Sequence, residues 1–271
     1  MGEERREFTD TTQWSPTGPY KVLKVSDFAG NVTARVGEPA AVVATIRVRA
    51  SDEAEARELF GKVETAFKER GDRAEARAEF RRGVLDVFAG GKVTCDFDLT
   101  LPAGITLEVT LGAGRLETRG VPTVNVNLGH GDVDADAPRL LGKVGNGSVN
   151  GARPTYVDLD VGNGAVTFAS AAALATLKLN MGNGAVTLPI GVLAEGADFK
   201  ITLGNGSVTA AFDAPPTDCL VEVEALASDL RTDVPFNKEG GKLTFAAGEP
   251  RAKIKIKAAH VNVVFTTKGA A

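Results

Sequence analysis

Asp132, Asp134 and Asp136 alternate along GDVDADA, and Asp158 and Asp160 repeat the spacing in YVDLD. Alternate residues of a strand share a face, so each run would present a row of carboxylates. Such rows could hold calcium, a hard cation that takes about six to eight oxygen ligands. Neither the EF-hand loop nor the glycine-rich calcium nonapeptide is present. These five aspartates are therefore weak metal candidates, with a solvated polar face as the competing reading. His130 and His260 are the two histidines. Zinc would need both beside a carboxylate or cysteine, and no spacing suggests that. His130 fills the variable position of a G-x-G, which reads as a turn. No G-x-S-x-G elbow supports a Ser-His-Asp set, so no catalytic residue is assigned and the chain reads as non-enzymatic. Cys95 and Cys219 lie far apart in alternating runs and read as two inert thiols rather than a disulfide.

Glycine pairs are the second chemical candidate. VGNGSV at 144–149 returns as VGNGAV at 161–166, MGNGAV at 181–186 and LGNGSV at 203–208, with GAG at 112–114 and GHG at 129–131 as further members. The first glycines are Gly112, Gly129, Gly145, Gly162, Gly182 and Gly204; the second are Gly114, Gly131, Gly147, Gly164, Gly184 and Gly206. A dinucleotide site needs G-x-G-x-x-G opening a helix, and a P-loop needs a following Lys-Ser or Lys-Thr. Here each pair leads into alternating residues instead, so no nucleotide or other cofactor is expected. The spacing of 16–22 residues marks an internal repeat, with Asn146, Asn163, Asn183 and Asn205 at equivalent places.

The elements that must carry this repeat are strands. Leu159 and Val161 precede one glycine pair, and Val166 and Phe168 follow it; Leu177, Leu179 and Met181 precede the next. Period-two alternation with Asn-Gly steps predicts an all-β fold. Two architectures satisfy it: a β-solenoid, or β-helix, whose coils stack the asparagines at one corner, and an antiparallel β-meander or sandwich in which each Asn-Gly closes a hairpin. The repeat period favours the solenoid.

The flanks are built differently, since 18 of the 31 glycines fall within 101–214. Residues 1–19 form a polar tail, 20–100 a β-rich cap, 101–214 the repeat and 215–271 a C-terminal β cap. In the first cap, Ser51 reads as a helix N-cap. Ala56, Leu59, Phe60, Val63 and Phe67 recur at three- and four-residue spacing, which predicts a helix over about 52–70, packed on the sheet or capping it. RAEARAEF at 73–80 reads as a strand after the Gly71-Asp72 turn. Near the C-terminus, Lys253, Lys255 and Lys257 share a face and could guard an exposed sheet edge, or form an anionic docking strip. Ala214-Pro215-Pro216 separates this cap from the repeat.

The 271 residues are 43% apolar, enough for a sizeable core, and carry a formal charge of −4. No basic excess points to nucleic acid, although a local patch can hide in the total. No run approaches eighteen apolar residues, so no transmembrane segment is expected. The charged start, MGEERREF, has no apolar h-region, so a cytoplasmic location is expected, or the envelope or cell exterior if a leader has been trimmed.

GNVTARVG at 30–37, the helix after TIRVRAS, FDLTLPAGITLEVTLGAGRLE at 97–117 and the serial V-G-N-G-x-V-T steps together resemble the DUF4097 family of adhesin-like β-helix proteins of bacteria. The resemblance spans roughly 28–212. It implies a β-helix linked to the bacterial envelope or its stress response, and offers no catalytic residues to carry over. The expected function is structural or protein-interaction, a scaffold or docking role, with protein partners and self-association as the expected contacts. A glycan- or calcium-dependent adhesin is the alternative.

Overall fold

The structure is a computed structural model that describes residues 5–81, 92–169, 174–191, 193–213, 219–233, 237–239, 242–244 and 252–267. Its contacts divide the chain into two units, Met1–Gly131 and Asp132–Ala271. The division falls inside the glycine repeat.

In the first unit β1 (Arg6–Trp14), β2 (Val22–Asp27), β3 (Gly30–Val36) and β4 (Ala41–Ala50) lead to α1 (Glu53–Phe60). β5 (Val63–Arg70), β6 (Arg73–Phe80), β7 (Val93–Leu101) and β8 (Thr106–Arg119) follow, and β9 (Thr123–Asp136) crosses the division. β2 and β3 make one bent coil. Val22–Asp27 lies parallel to Thr106–Leu111, and Gly30–Arg35 lies parallel to Gly114–Arg119. β6 pairs parallel with β2, and β7 pairs parallel with β3. β4 runs antiparallel between β7 and β1.

The expected helix over 52–70 is shorter than its apolar spacing suggests. It ends at Phe60, and Gly61 caps it. Val63–Arg70 instead becomes β5, antiparallel to β6 across Gly71-Asp72. Val63, Thr65 and Phe67 fit period two as well as the helical period, and an eight-residue partner strand decides between them. The cap also moves by one residue. Asp52 Oδ1 accepts from the Glu55 backbone N–H at 2.9 Å, while Glu55 returns to accept from Ser51 N at 2.7 Å and Ser51 Oγ at 2.8 Å. Ala56 and Leu59 are the buried face of α1, which packs on β4.

The second unit is a solenoid and not a meander. β10 (Arg139–Gly151), β11 (Tyr156–Phe168), β12 (Thr176–Gly191) and β13 (Asp198–Phe212) stack parallel and in register, so that Asn146, Asn163, Asn183 and Asn205 pair in succession. None of these Asn-Gly steps closes a hairpin; each bends a strand that keeps pairing on both sides of the bend. β14 (Cys219–Thr232), β15 (Asn237–Glu239), β16 (Lys242–Thr244) and β17 (Ala252–Thr267) complete the unit. β17 lies parallel between β13 and β14, so the last strand of the chain is inserted one place before its end in space. β16 extends β14 antiparallel over Leu220–Glu222, and β15 pairs with β16. The Ala214-Pro215-Pro216 step lies outside the described residues.

That insertion changes the role of the C-terminal lysines. β17 is not an edge strand, so Lys253, Lys255 and Lys257 guard no edge. They pair with the neighbouring strand instead: Lys253 with Glu222 at 3.5 Å, Lys255 with Glu222 at 3.3 Å and Glu224 at 2.6 Å, and Lys257 with Glu224 at 2.8 Å.

The core is made of inward columns. Val157, Leu159 and Val161 before the bend and Val166 and Phe168 after it are buried, as are their register partners in the next coils. At two places a small residue faces a large one. Gly151 pairs with Phe168, whose ring occupies the space a side chain at 151 would need, and Ala210 pairs with Phe265. Phe265 in turn stacks on Phe212 at 6.3 Å. Close interior packing requires such small-against-large pairs. Cys95 and Cys219 are free and buried; burial raises both thiols, Cys219 to about 12, so neither is a ready nucleophile.

Candidate interaction surface

β10, β11, β12 and β13 each bend at G-N-G, and the bend determines which residues face outward. At Gly164 and Gly184 φ is +146° and +149°, values that L side chains rarely adopt. Space is closed there too. A Cβ on Gly184 would overlap the backbone carbonyl of Gly164, and one on Gly164 would overlap that of Gly147. The first glycines stack in the same way, Gly204 on Gly182 and Gly182 on Gly162. In the first unit Gly112, Gly129, Gly114 and Gly131 repeat the pattern. These glycines are therefore packing positions, not a ligand cradle.

Between the two glycine columns the asparagines bond to one another. Nδ2 of Asn163 donates to Oδ1 of Asn146 at 2.8 Å, Asn183 to Asn163 at 2.9 Å, and Asn205 to Asn183 at 2.9 Å. A primary amide carries both a donor and an acceptor, so it can serve the coil before and the coil after. His260 is the register partner of Asn205 and takes the next corner position on β17. His130 takes the same position of its own G-x-G in the first unit. Both histidines are corner residues, as expected for His130.

The bend separates two outward flanks. On the flank before it, charges pair along the stack. Lys178 meets Asp158 at 3.2 Å, Lys143 meets Asp160 at 3.7 Å, and Asn180 donates to Asp160 at 2.8 Å. Arg139 lies over the Tyr156 ring at 4.5 Å. On the flank after the bend, Ser148, Ala165, Ala185, Ser207 and Asn262 form one register row, and Asn150, Thr167, Thr187, Thr209 and Val264 form another. No member of either row is charged. Asp132, Asp134 and Asp136 precede these rows and Asp229 and Arg231 follow them, so the uncharged patch has charged borders.

The five acidic candidates consequently divide between flanks. Asp132, Asp134 and Asp136 follow the bend of their coil, whereas Asp158 and Asp160 precede theirs. Asp132 accepts from Ser148 N at 3.1 Å and from Ser148 Oγ at 2.5 Å. Asp136 holds Arg153 in a two-point pair at 3.0 and 2.7 Å. Among the described residues no three of His, Cys, Asp and Glu converge as a metal site, and no helix is long and apolar enough to cross a membrane.

Two coils and one buried acid escape a search for glycine pairs. Phe28-Ala29-Gly30 is a corner stacked on Gly112-Ala113-Gly114, and Ala259-His260-Val261 is the corner of β17. Asp27, just before the first of these, is register partner to Leu111 and is buried, 6% exposed. Neither of its carboxylate oxygens has a hydrogen-bond partner. Desolvation raises its carboxyl to about 8; the amides of Ala29 and Phe28 act the other way without closing hydrogen bonds, and Asp96 adds a small push upward. Tyr20 and Thr118 also bury unpartnered hydroxyls.

No family model matches the chain, and no curated protein matches it. The DUF4097 resemblance therefore rests on the quoted motifs. Several solved structures align over nearly their whole length at low identity. A candidate cell adhesion protein from Clostridium sporogenes aligns at 12% identity over 97% of this chain and 100% of that one, with a TM-score of 0.32. A candidate adhesin from Bacteroides fragilis aligns at 11% over 96% and 97%, with a TM-score of 0.37. A candidate lipid binding protein from Parabacteroides distasonis aligns at 11% over 94% and 96%, with a TM-score of 0.35.

Proposed function

We propose that this chain is a non-enzymatic interaction scaffold whose docking face is the uncharged flank that follows the asparagine corner. The observation that carries the reading is the contrast between flanks. One flank pairs its charges internally, while the other presents ten aligned small or uncharged side chains on a rigid parallel stack. Desolvating such a face leaves no buried ion behind. With strands about 4.8 Å apart, five of them span roughly 20 Å, and two residue rows add less than about 10 Å. That area is well below the ~800 Å² per partner of a standard interface. The flank thus suits an extended segment or one of several contacts in a multivalent assembly.

The test is affinity capture from a lysate with the full chain and with its Thr167→Arg/Thr187→Arg variant. Both side chains lie on the outward face in register with each other, and a thermal melt of the variant checks that the two facing arginines leave the stack folded. The scaffold reading expects a partner that wild type retains and the variant loses. Identical capture by both proteins would remove the flank from the function.

A further inference from the structure

We infer that the first unit carries a binding site for a small phosphate-bearing anion, formed by Lys24, Lys68, Arg70 and Arg73. This site does not depend on the docking flank of the second unit. The Gly71-Asp72 turn sets Arg70 directly opposite Arg73, and Lys68 opposite Glu75, on the β5–β6 hairpin. β2 runs beside β6 and brings Lys24 to 3.7 Å from Glu75. The five side chains border a hollow of about 260 Å³. A neighbouring hollow of about 200 Å³ shares Lys68, Arg70 and Glu75 with it. Four cations therefore face one carboxylate, on a chain whose net charge is −4.

Glu108 faces Lys24 from the neighbouring strand and Asp72 sits in the turn, but neither lines the hollow, and three further acids nearby are committed elsewhere. Glu64 meets Arg81 at 2.6 Å and Arg77 at 3.6 Å, and Glu79 meets Arg77 at 3.2 Å. Glu69 lies on the opposite face of β5, where it accepts from Thr17 Oγ1 at 2.9 Å and from the Thr17 and Gly18 amides. Among the described residues Lys68, Arg70 and Arg73 form no salt bridge; Lys68 adds only the smallest of the attractions that lower Glu64. Like charges directly opposite on paired strands repel. A dianion between Arg70 and Arg73 would reverse that repulsion. Paired guanidinium forks match the oxygen geometry of phosphate, and Lys68 and Lys24 add point charges. The size of the hollow suits a soluble phosphomonoester. A membrane surface fits less well, because Asp72 stands at the exposed tip of the same hairpin.

The site is tested by amide NMR titration of the full chain with inorganic phosphate and with phenyl phosphate, and by co-sedimentation with phosphatidylglycerol vesicles. The expected result is saturable shifts confined to residues 68–75 and 22–24, with no vesicle binding. Arg70→Gln/Arg73→Gln should weaken binding about tenfold or more. Glu75→Gln removes the carboxylate that lines the hollow and should tighten binding a few-fold, which a misfolded variant could not do. No saturable shift by about 20 mM phosphate, shifts indifferent to both variants, or vesicle binding in place of phosphate binding would each overturn the assignment.

Discussion

Asn183 sits between Asn163 and Asn205, donating to the one at 2.9 Å and accepting from the other at 2.9 Å. Its amide is used at both ends, so substitutions separate the two roles. Asn183→Ala removes two exposed hydrogen bonds, which predicts a loss of about 1 kcal/mol in a urea titration. Asn183→Asp can still accept from Asn205 but, when ionised, has no donor for Asn163. It should cost at least as much at pH 7 and regain stability as the pH falls through the carboxylate range.

Gly184 and Gly71 both have positive φ, +149° and +61°, but only Gly184 faces a backbone carbonyl. Gly71→Ala meets nothing within 4 Å and pays for its conformation alone, about 1 kcal/mol. Gly184→Ala adds a collision that a paired strand cannot relieve, and should cost more than about 3 kcal/mol. Equal denaturation midpoints for the two variants would show that the glycine column is not close-packed.

Asp27 gives the first unit a pH dependence of definite sign. Its folded carboxyl is raised from 3.8 to about 8, chiefly by desolvation. Between those values the folded state holds a proton that the unfolded chain releases, so stability falls as pH rises from about 4 to about 8 and levels off above. Asp27→Asn should therefore exceed wild type by a few kcal/mol at pH 8, with the gap closing toward pH 4. Asp27→Leu should do the same, since Leu111 already fills this column in the next coil.

Glu224 works in the opposite direction. Hydrogen bonds from Lys255 and Lys257 hold its carboxyl down at about 2. A depressed acid contributes above its unfolded value and loses that contribution as pH falls through the folded one. Thermal melts of Glu224→Gln should match wild type near pH 2 and fall slightly below it at pH 7. The exposed setting keeps the difference small, and added salt should shrink it further.

Much of this architecture is legible in the residues because the repeat is chemically marked. Asn-Gly recurs at 17, 20 and 22 residues, and the in-register pairs have those same separations. What escapes has physical reasons. Corners at Ala29 and His260 lack the paired glycines that mark the others, although Gly112 and Gly114 stack on Phe28 and Gly30 as closely as the repeat glycines stack on one another. Val63–Arg70 satisfies two periodicities, and its partner strand decides between them. Asp132–Asp136 and Asp158–Asp160 look alike in sequence, yet a bend precedes one run and follows the other, so they fall on different flanks. The insertion of β17 beside β13 is a long-range pairing that no local pattern encodes. The basic hollow at Arg70 and Arg73 is invisible in a net charge of −4.

The docking claim is tested most directly by hydrogen exchange on the full chain, free and bound to whatever partner wild type retains and the Thr167→Arg/Thr187→Arg variant loses. The account predicts new protection at 148–150, 165–167, 185–187 and 207–209. The paired-charge flank at 139–143, 156–160 and 176–180 should stay unchanged. Protection on that charged flank, with none after the asparagine corner, would contradict it.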